Sequence, residues 1–374
     1  MIEPKLLFDA LKRQNITHYS GVPDSLLKSM CAYIADNTSP DQHIITANEG
    51  SAIALAAGQY LSTGKPSLVY MQNSGFGNAI NPLLSLADTD VYSIPMIIMV
   101  GWRGEPGIKD EPQHVKQGAV MEPLLDACKI PYRILSSDIV DIDSMIISAV
   151  KEAILKSCPV VLLVRKNTFL PYSLQNQIPD YSDISREDAI RAVTDSALSN
   201  DVIVSTTGMA SRELFEIRAA KKEVDALDFL TVGSMGHANM IALGIAQNTS
   251  RHVFCIDGDG SSLMHLGNLT TIGQSNAKNY IHVLLNNAAH DSVGGQPTCA
   301  NAIDLASISK SCGYSTSKTF NNLNDVRHHI NALRHKDGPH LVQINIKKGS
   351  RADLGRPTSS PIQNRKSLML GLVG

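Results

Sequence analysis

Two short apolar runs, each followed by a polar turn, constrain the fold of this chain more than any other feature. The first run, residues 253–256, leads into Asp-Gly-Asp-Gly at residues 257–260, and the second, residues 281–285, leads into Asn-Asn at residues 286–287. A segment of helix length separates the runs, so we predict a β-α-β unit. Because the strands of such a unit are parallel, both turns leave the sheet at its carboxyl edge, where open α/β sheets bind ligands.

These two turns carry groups that suit a metal-bound diphosphate. Gly258 and Gly260 allow tight turns and close approach of a ligand to the backbone, and Ser261 lies at a predicted helix start, where an anion is favoured. Asp259 and Asn287 supply one charged and one neutral oxygen ligand, as Mg²⁺ requires beside phosphate and water. We therefore predict a Mg²⁺-diphosphate site, although each turn alone is also ordinary turn chemistry.

The composition is that of an α/β protein and argues against several functional classes. Hydrophobic residues make up 43% of the chain, and a formal net charge of −2 gives no support for binding nucleic acid or a membrane surface. Six scattered cysteines without a C-x-x-C pair favour a reducing compartment. A charged beginning and the lack of a bilayer-length apolar run lead us to expect a cytoplasmic protein.

Strand-like and helix-like segments alternate on both sides of a polar, proline-containing stretch. We therefore predict an N-terminal domain of residues 1–170, a linker of residues 171–185 and a C-terminal domain of residues 186–374. The similar alternation in both halves predicts the α/β class, with two similarly built, doubly wound parallel sheets.

Polar residues follow several predicted strands of the N-terminal half. Asp24 and Ser25 lie in the turn G-V-P-D-S, where helix capping is an equally good explanation. Glu49 begins a helix of small residues, and taken alone it is best explained by interaction with the helix dipole. Asn73 lies in the glycine-containing loop Q-N-S-G-F-G-N and is well placed to line a pocket.

A long polar loop follows the next predicted strand, residues 95–100. Its sequence, G-W-R-G-E-P-G-I-K-D-E-P-Q-H, is typical of functional loops. Arg103 and Lys109 suit an anionic substrate group such as a phosphate or phosphonate, and Gln113 is a further substrate candidate. His114 can hydrogen-bond a carboxylate or move a proton near neutral pH. Solvated charges and a structural histidine are the alternative explanations.

The C-terminal half contains two more turns of interest. Thr207 and Gly208 lie at a helix start after a predicted strand and form a second anion cradle. Met235, in V-G-S-M-G-H-A-N, is by itself best explained as a core residue. His290 lies in A-A-H-D-S-V-G-G-Q-P-T, the segment that follows the Asn-Asn turn.

Taken together, these strings resemble the thiamine diphosphate-dependent enzymes. The G-D-G-S turn with the later N-N is similar to the cofactor fingerprint of the whole group. The strings G-V-P-D-S, N-E-G, Q-N-S-G-F-G-N, G-G-Q-P-T and above all the G-W-R-G-E-P loop are similar to the phosphonopyruvate decarboxylase family, with the sulfopyruvate decarboxylases as close relatives. The resemblance spans nearly the whole chain and implies a pyrimidine-binding domain followed directly by a diphosphate-binding domain, without a central third domain.

The resemblance also implies roles for individual residues. Glu49 would hydrogen-bond the aminopyrimidine of the cofactor and promote its imino form, and Met235 would support the bent cofactor. The metal ligands would be Asp259, Asn287 and the backbone carbonyl of Ala289. The other implied cofactor-binding positions are Thr207, Gly208, Gly233, Met235, Gly258, Gly260 and Ser261.

The implied reaction is the thiamine diphosphate- and Mg²⁺-dependent decarboxylation of 3-phosphonopyruvate to phosphonoacetaldehyde and CO₂, a step of phosphonate biosynthesis. The histidine pair and the later glutamate of pyruvate decarboxylase have no counterpart here, since Gln113-His114 and Val293 occupy those places. We therefore take Asp24, His114 and His290, beside Glu49, as the catalytic candidates. The substrate candidates are Ser25, Asn73, Arg103, Lys109 and Gln113.

Three other functions stay open from the sequence. The same machinery could decarboxylate sulfopyruvate or ligate two carbonyl compounds, and a non-catalytic α/β nucleotide-binding regulator is the alternative outside the enzymes. A nicotinamide dehydrogenase is disfavoured because no G-x-G-x-x-G follows the first predicted strand. The resemblance further implies a homo-oligomer, at least a dimer, in which Glu49 of one chain and Asp259 of another build one site.

Overall fold

Each half of the chain forms its own six-stranded parallel sheet. The computed structural model describes residues 1–223 and 225–373. Contacts divide these residues into a first unit, Met1–Gln177 with Val293–Gln296, and a second unit made of the remaining described residues.

The first unit alternates strands and helices along the chain. Its strands are β1 (Tyr19–Gly21), β2 (His43–Ile45), β3 (Leu68–Gln72), β4 (Met96–Gly101), β5 (Tyr132–Leu135) and β6 (Pro159–Val164). Its helices are α1 (Pro4–Arg13), α2 (Lys28–Asp36), α3 (Glu49–Thr63), α4 (Phe76–Pro82), α5 (Pro112–Ala119), α6 (Met121–Ala127) and α7 (Ile142–Lys156).

The second unit repeats this alternation. Its strands are β7 (Val202–Ser205), β8 (Leu227–Leu230), β9 (Val253–Gly258), β10 (Tyr280–Asn286), β11 (Thr316–Phe320) and β12 (His340–Asn345). Its helices are α8 (Arg186–Ser196), α9 (Met209–Ala220), α10 (Ala238–Ala246), α11 (Asp259–Met264), α12 (Asn268–Gly273), α13 (Leu305–Ser311), α14 (Leu323–Leu333) and α15 (Pro361–Val373).

The two sheets share one topology. The strand orders are β2-β1-β3-β4-β6-β5 and β11-β12-β10-β9-β7-β8, which become the same order, 2-1-3-4-6-5, when strands are counted within each unit. All pairings between these strands are parallel. The predicted fold class is therefore confirmed. Ligand sites in such sheets lie at the carboxyl ends beside the strand where the order reverses, here β1 and β7.

Helices cover both faces of the first sheet because its central strands are apolar throughout. All residues of β4 and β6 are buried, as expected for strands between two helical layers. Along β4, Ile97 and Met99 pack in one core with α1 and α7, and Ile98 and Val100 pack in the other with α3. This period-2 division is what makes the sheet doubly wound.

The crossover between β9 and β10 differs from the single helix that its length predicts. It consists of two short helices, α11 and α12, because the chain leaves helical geometry at His265, with φ −131° and ψ 53°. At the sheet edge, the Asn364 side chain of α15 accepts a bond from the Leu230 N–H (3.0 Å) and donates to the Asp228 carbonyl (2.9 Å). It thus occupies backbone groups that β8 would otherwise leave open.

The predicted linker, residues 171–185, contains neither helix nor strand. Its first part bonds to α2, since the Gln175 N–H donates to Asp36 at 2.8 Å. Its later part bonds to the segment after β12, since the Lys347 N–H donates to the Ile184 carbonyl at 2.8 Å. The exact domain limits stay a prediction. Across the described ranges, no helix combines the length and the apolar character needed to cross a bilayer.

Candidate active site

The carboxyl edge of the first sheet gathers five of the predicted residues. Asp24 and Ser25 follow β1, Glu49 begins α3 after β2, Asn73 follows β3, and Arg103 follows β4. Asn73 uses its whole amide to hold the backbone of Arg103, because Nδ2 donates to the Arg103 carbonyl (2.8 Å) and Oδ1 accepts from its N–H (3.2 Å). The structure therefore gives Asn73 a positioning contact with Arg103.

Glu49 is buried, with 5% of its surface exposed, at the first residue of α3. Its Oε2 accepts a hydrogen bond from Asn78 Nδ2 at 2.7 Å, while Oε1 lies against the backbone of Gly75. Burial raises the pKa of Glu49, and the bond from Asn78 opposes that rise. The result is a carboxyl group with one oxygen fixed and a raised proton affinity, which suits a group that shares a proton with a ligand.

The absence of a side chain at Gly75 makes room for this carboxylate. A methyl group added there would lie 2.1 Å from Glu49 Oε1 and 2.7 Å from its Cγ, so Glu49 would have to leave its bond with Asn78. We expect Gly75→Ala to lower the free energy of unfolding by about 1–3 kcal/mol, the usual range for overpacking. Denaturant unfolding of the purified variant measures this change.

Gly77, two residues later and inside α4, provides the matched control. A methyl group there meets no atom of the described residues within 4 Å. Since alanine is favoured over glycine inside a helix, Gly77→Ala should raise stability by about 0.5–1 kcal/mol. Equal effects of the two substitutions would show that Glu49 does not depend on the space at Gly75.

Arg103 is held in one orientation by Asp110. The Arg103 guanidinium donates to both carboxylate oxygens of Asp110, through Nε at 2.7 Å and through Nη2. Asp110 also accepts the backbone N–H groups of Gly104 (2.9 Å) and Glu111 (2.8 Å), so its oxygens are fully used. The remaining Nη1 donates to Ser25 Oγ at 2.7 Å. Arg103 therefore presents one free edge, next to the Ser25 hydroxyl, for an anion.

Asp24 lies beneath this edge and is 1% exposed. Burial raises its pKa to about 6, and the Arg103 guanidinium works in the opposite direction. Gly101 at the end of β4 leaves space for the carboxylate, since an added methyl group would meet Asp24 Oδ2 at 2.0 Å. Asp24 thus combines a raised pKa with a bond from the Ser25 hydroxyl and an electrostatic interaction with Arg103, which are properties expected of a proton carrier.

The predicted loop histidine lies on α5 and packs close to Arg103. The backbone of His114 contacts Gly104, where an added methyl group would lie 2.0 Å from the His114 carbonyl. Burial, followed by the Arg103 charge, lowers the pKa of His114, so the ring is neutral at pH 7. Within the described residues, His114 Nδ1 and Gln113 Oε1 are buried without a hydrogen-bond partner. Lys109 is exposed in the same loop.

The carboxyl edge of the second sheet gathers the predicted metal ligands. Asp259 follows β9 and Asn287 follows β10, and the pairing of these strands places Gly258 opposite Leu285. Both side chains are buried, with 4% and 9% exposed. Burial raises the pKa of Asp259 to about 6, because it destabilises the ionised carboxylate. A bound cation would remove this destabilisation. A carboxylate and a carboxamide oxygen at adjacent strand ends fit Mg²⁺.

The loop after Asn287 is closed at its base. The Thr298 N–H donates to the Ala288 carbonyl (2.9 Å), Ala289 pairs with Pro297, and the Thr298 hydroxyl donates to Asp259 Oδ2 at 2.5 Å. The loop therefore holds the Ala289 backbone, the third predicted ligand, in place relative to Asp259. Such bonds to a metal ligand fix its orientation before the metal binds.

Two glycines of this unit leave an open cradle beside the strand ends. Gly208, the residue before α9, has φ +92°, a value that side chains disfavour. A Cβ added there or at Gly258 would meet no described atom within 4 Å apart from the adjacent residues of the chain. The Ser261 hydroxyl is used within the protein and does not face this open space. Its Oγ accepts from the Gly236 N–H (3.0 Å) and bonds with Thr206 Oγ1 (3.1 Å), so it connects the turns that contain these two residues. Open backbone at two helix starts fits a diphosphate.

Met235, Gly260 and His290 lie together. A methyl group at Gly260 would be 3.4 Å from the His290 ring and 3.5 Å from the Met235 methyl group. Met235 is half-buried, so its side chain is available to a ligand. Gly233, whose backbone carbonyl is also a predicted cofactor contact, lies two residues earlier in the same turn. Burial lowers the pKa of His290 to about 4, which leaves the ring neutral at pH 7.

A buried network centred on Asp257, which was not predicted from the sequence, lies behind this edge. Asp257 accepts hydrogen bonds from the Gly258 N–H (2.9 Å), the Ser262 hydroxyl (2.9 Å) and Asn239 Nδ2 (3.2 Å), and contacts His282 Nε2 at 3.4 Å. Burial acts to raise the pKa of Asp257, but the contact with His282 and the hydroxyl groups of Ser261 and Ser262 lower it overall. The network fixes the turn that carries Asp259 relative to α10. The two aspartates of D-G-D-G are the sequence feature from which this network could have been predicted.

Comparison with known proteins supplies the family. Residues 4–128 match the model of the N-terminal TPP binding domain of thiamine pyrophosphate enzymes, and residues 206–344 match that of the C-terminal TPP binding domain. The chain is 33% identical to a phosphonopyruvate decarboxylase of Streptomyces viridochromogenes, over 97% of this chain and 93% of that protein. It is also 33% identical to the phosphonopyruvate decarboxylase of Streptomyces hygroscopicus, over 96% and 92%. It is 28% identical to a sulfopyruvate decarboxylase of Methanosarcina acetivorans, over 84% of each chain.

Proposed function

We propose, from the premise that this chain belongs to the thiamine pyrophosphate enzymes, that it decarboxylates 3-phosphonopyruvate to phosphonoacetaldehyde and CO₂ with thiamine diphosphate and Mg²⁺. The cofactor, when bound, supplies the carbon nucleophile and the electron sink that make loss of CO₂ possible. The described side chains bind and orient the reactants and carry protons. The proposal includes a homo-oligomer of at least two chains.

Glu49 of one chain and the second-unit edge of another chain would serve the cofactor. Glu49, whose burial raises its pKa, would share a proton with the ring nitrogen of the aminopyrimidine through the oxygen that Asn78 leaves free. Asp259, Asn287 and the Ala289 carbonyl would hold Mg²⁺, and the open backbone at Gly208 and Gly258 would accept the diphosphate.

The Arg103 and Ser25 pair is the observation that carries the substrate assignment. Arg103 lies at the same sheet edge as Glu49, with 20% of its side chain exposed, and its Nη1 points to Ser25 Oγ at 2.7 Å. A guanidinium edge beside a hydroxyl binds a tetrahedral oxyanion well. We assign this pair to the phosphonate. Asp24 and His114, which lie close to Arg103, would then supply or hold the proton that replaces the lost carboxylate.

Release of CO₂ by the purified protein tests this function. We expect the protein, loaded with thiamine diphosphate and Mg²⁺, to decarboxylate phosphonopyruvate with a higher kcat/KM than sulfopyruvate and to act poorly on pyruvate, which lacks the anionic group. A preference for sulfopyruvate would indicate that the protein acts as a sulfopyruvate decarboxylase instead. Cofactor binding without CO₂ release from any of the three acids would overturn the proposed reaction.

A further inference from the structure

Asp24 carries a buried acceptor oxygen that is poorly satisfied. Its Oδ2 accepts two backbone hydrogen bonds, from the Leu26 N–H at 3.0 Å and the Leu27 N–H at 3.2 Å. Its Oδ1 has, among the side chains that the structure describes, only the Ser25 hydroxyl at 3.5 Å. The Ser25 backbone N–H also interacts with this carboxylate, but the hydroxyl bond at 3.5 Å is the one geometric hydrogen bond to Oδ1 within the described residues. Buried polar atoms usually have a good partner, so Oδ1 points to a ligand.

This oxygen belongs to a chain of three groups. Arg103 Nη1 donates to Ser25 Oγ at 2.7 Å, and the Ser25 hydroxyl in turn faces Asp24 Oδ1. The other carboxylate near Arg103, that of Asp110, is saturated by Arg103 and by two backbone N–H groups. When the Ser25 hydroxyl turns its proton from Asp24 Oδ1 to a ligand, the free edge of Arg103 offers two donors, the guanidinium and the hydroxyl, and one acceptor, Asp24 Oδ1.

A phosphonate and a sulfonate differ in how they meet such an acceptor. A phosphonate loses its second proton near neutral pH, as a phosphate monoester does at about pH 6, so its monoanion carries an O–H donor. A sulfonate is fully ionised and has only acceptor oxygens. A carboxylate acceptor therefore attracts the first group through a hydrogen bond and repels the second.

We propose that Asp24 makes this site selective for a phosphonate over a sulfonate, because Asp24 Oδ1 accepts the phosphonate O–H while Arg103 and Ser25 bind the other oxygens. Burial raises the pKa of Asp24 to about 6, close to that of the phosphonate, so the two groups share one proton readily. The inference rests on the proposed function and deepens it, since it names the group that separates the two substrates.

Asp24→Asn replaces the hydrogen-bond acceptor Oδ1 by a hydrogen-bond donor. The Leu26 and Leu27 N–H groups require an acceptor at the Oδ2 position, so the amide oxygen takes that place. The amide NH₂ then lies where Oδ1 was and becomes a donor. We expect the variant to bind a sulfonate more tightly and a phosphonate more weakly than the wild type. Each change should be about 10- to 100-fold, the range for one hydrogen bond to a charged group.

Calorimetric titration with two unreactive analogues, 3-phosphonopropionate and 3-sulfopropionate, measures this preference without turnover. The wild-type holoenzyme should bind the phosphonate analogue more tightly, and Asp24→Asn should reverse the order. Asp24→Ala, which removes both the acceptor and the charge, should bring the two affinities close together. The comparison of the two analogues on the wild type is already a test, and it does not depend on whether a variant folds. Equal wild-type affinities, no binding of either analogue, or an unchanged ratio in Asp24→Asn would each overturn the proposal.

Kinetics separates this role from a purely catalytic one. If Asp24 only carries a proton, Asp24→Asn lowers kcat/KM for phosphonopyruvate and sulfopyruvate alike, and the ratio of the two stays constant. Asp90→Asn, at an exposed aspartate of the same unit, is the control that should leave both values unchanged. If the wild type releases no CO₂ from phosphonopyruvate but still prefers the phosphonate analogue through Asp24, the proposed reaction fails and the selectivity stands.

Discussion

Glu49→Gln is expected to lower kcat by about 10³-fold, the middle of the range for a positioned general acid-base group. The substitution keeps the shape of a side chain that is 5% exposed, and the amide oxygen can still accept the bond from Asn78 at 2.7 Å. Its NH₂ then lies against Gly75, where the carboxyl group would have shared its proton. An amide cannot exchange that proton, so turnover falls while the fold is kept. Steady-state CO₂ release from phosphonopyruvate measures the effect.

Thermal unfolding and a surface variant complete this experiment. Glu3→Gln changes an exposed glutamate whose side chain makes no capping bond to α1, and it should leave kcat unchanged. Similar melting temperatures of Glu49→Gln and the wild type would show that the loss is chemical. Turnover of Glu49→Gln within a few-fold of the wild type would remove Glu49 from the catalytic residues.

Asp259→Asn is expected to weaken Mg²⁺ binding by more than about 10²-fold, because changing residues that merely support a metal ligand already costs about 10- to 100-fold. The same substitution should stabilise the metal-free protein above pH 6. Burial raises the pKa of Asp259 to about 6 from an ordinary 3.8, so the ionised carboxylate lowers the stability of the metal-free fold as the pH rises through that interval. A neutral amide removes this penalty.

Melting temperatures at pH 8, with and without Mg²⁺ and thiamine diphosphate, test both parts. The wild type should gain stability from the ligands, whereas Asp259→Asn should melt higher than the wild type without them and gain little from them. Asp183→Asn, at an exposed position of the same unit, is the control. An undiminished Mg²⁺ response in Asp259→Asn would exclude Asp259 as a ligand.

The sequence predicted the elements whose side chains are apolar and buried. The runs that became β4, β9 and β10 are apolar along most of their length, so their ends, and the polar residues that follow them, could be located. Strands β5, β8 and β11 were not predicted. They lie at the sheet edges, and β11, Thr-Ser-Lys-Thr-Phe, is polar and partly exposed, so it lacks a hydrophobic pattern.

Contacts between distant residues were outside the reach of sequence patterns. Asn78 meets Glu49 across 29 positions, and Thr298 meets Asp259 across 39, and neither pair leaves a local signature. The expected pocket role of Asn73 illustrates the same limit, because only the structure shows that its amide is bonded to the Arg103 backbone. Residue type and position at a strand end predicted which residues gather, whereas their mutual bonding depends on the packing of α3, α4 and the loop after β4.

The linker described above has an evolutionary consequence. Its first part is bonded to the first unit through Asp36 and its later part to the second unit through the Lys347 N–H, and among residues 1–223 and 225–373 no strand is exchanged between the sheets. A break in the polypeptide close to Gln177 would therefore cut no ladder of hydrogen bonds and expose no new strand edge. The same architecture is compatible with one gene or with two adjacent genes. Fusion and fission of its coding sequence would be structurally inexpensive.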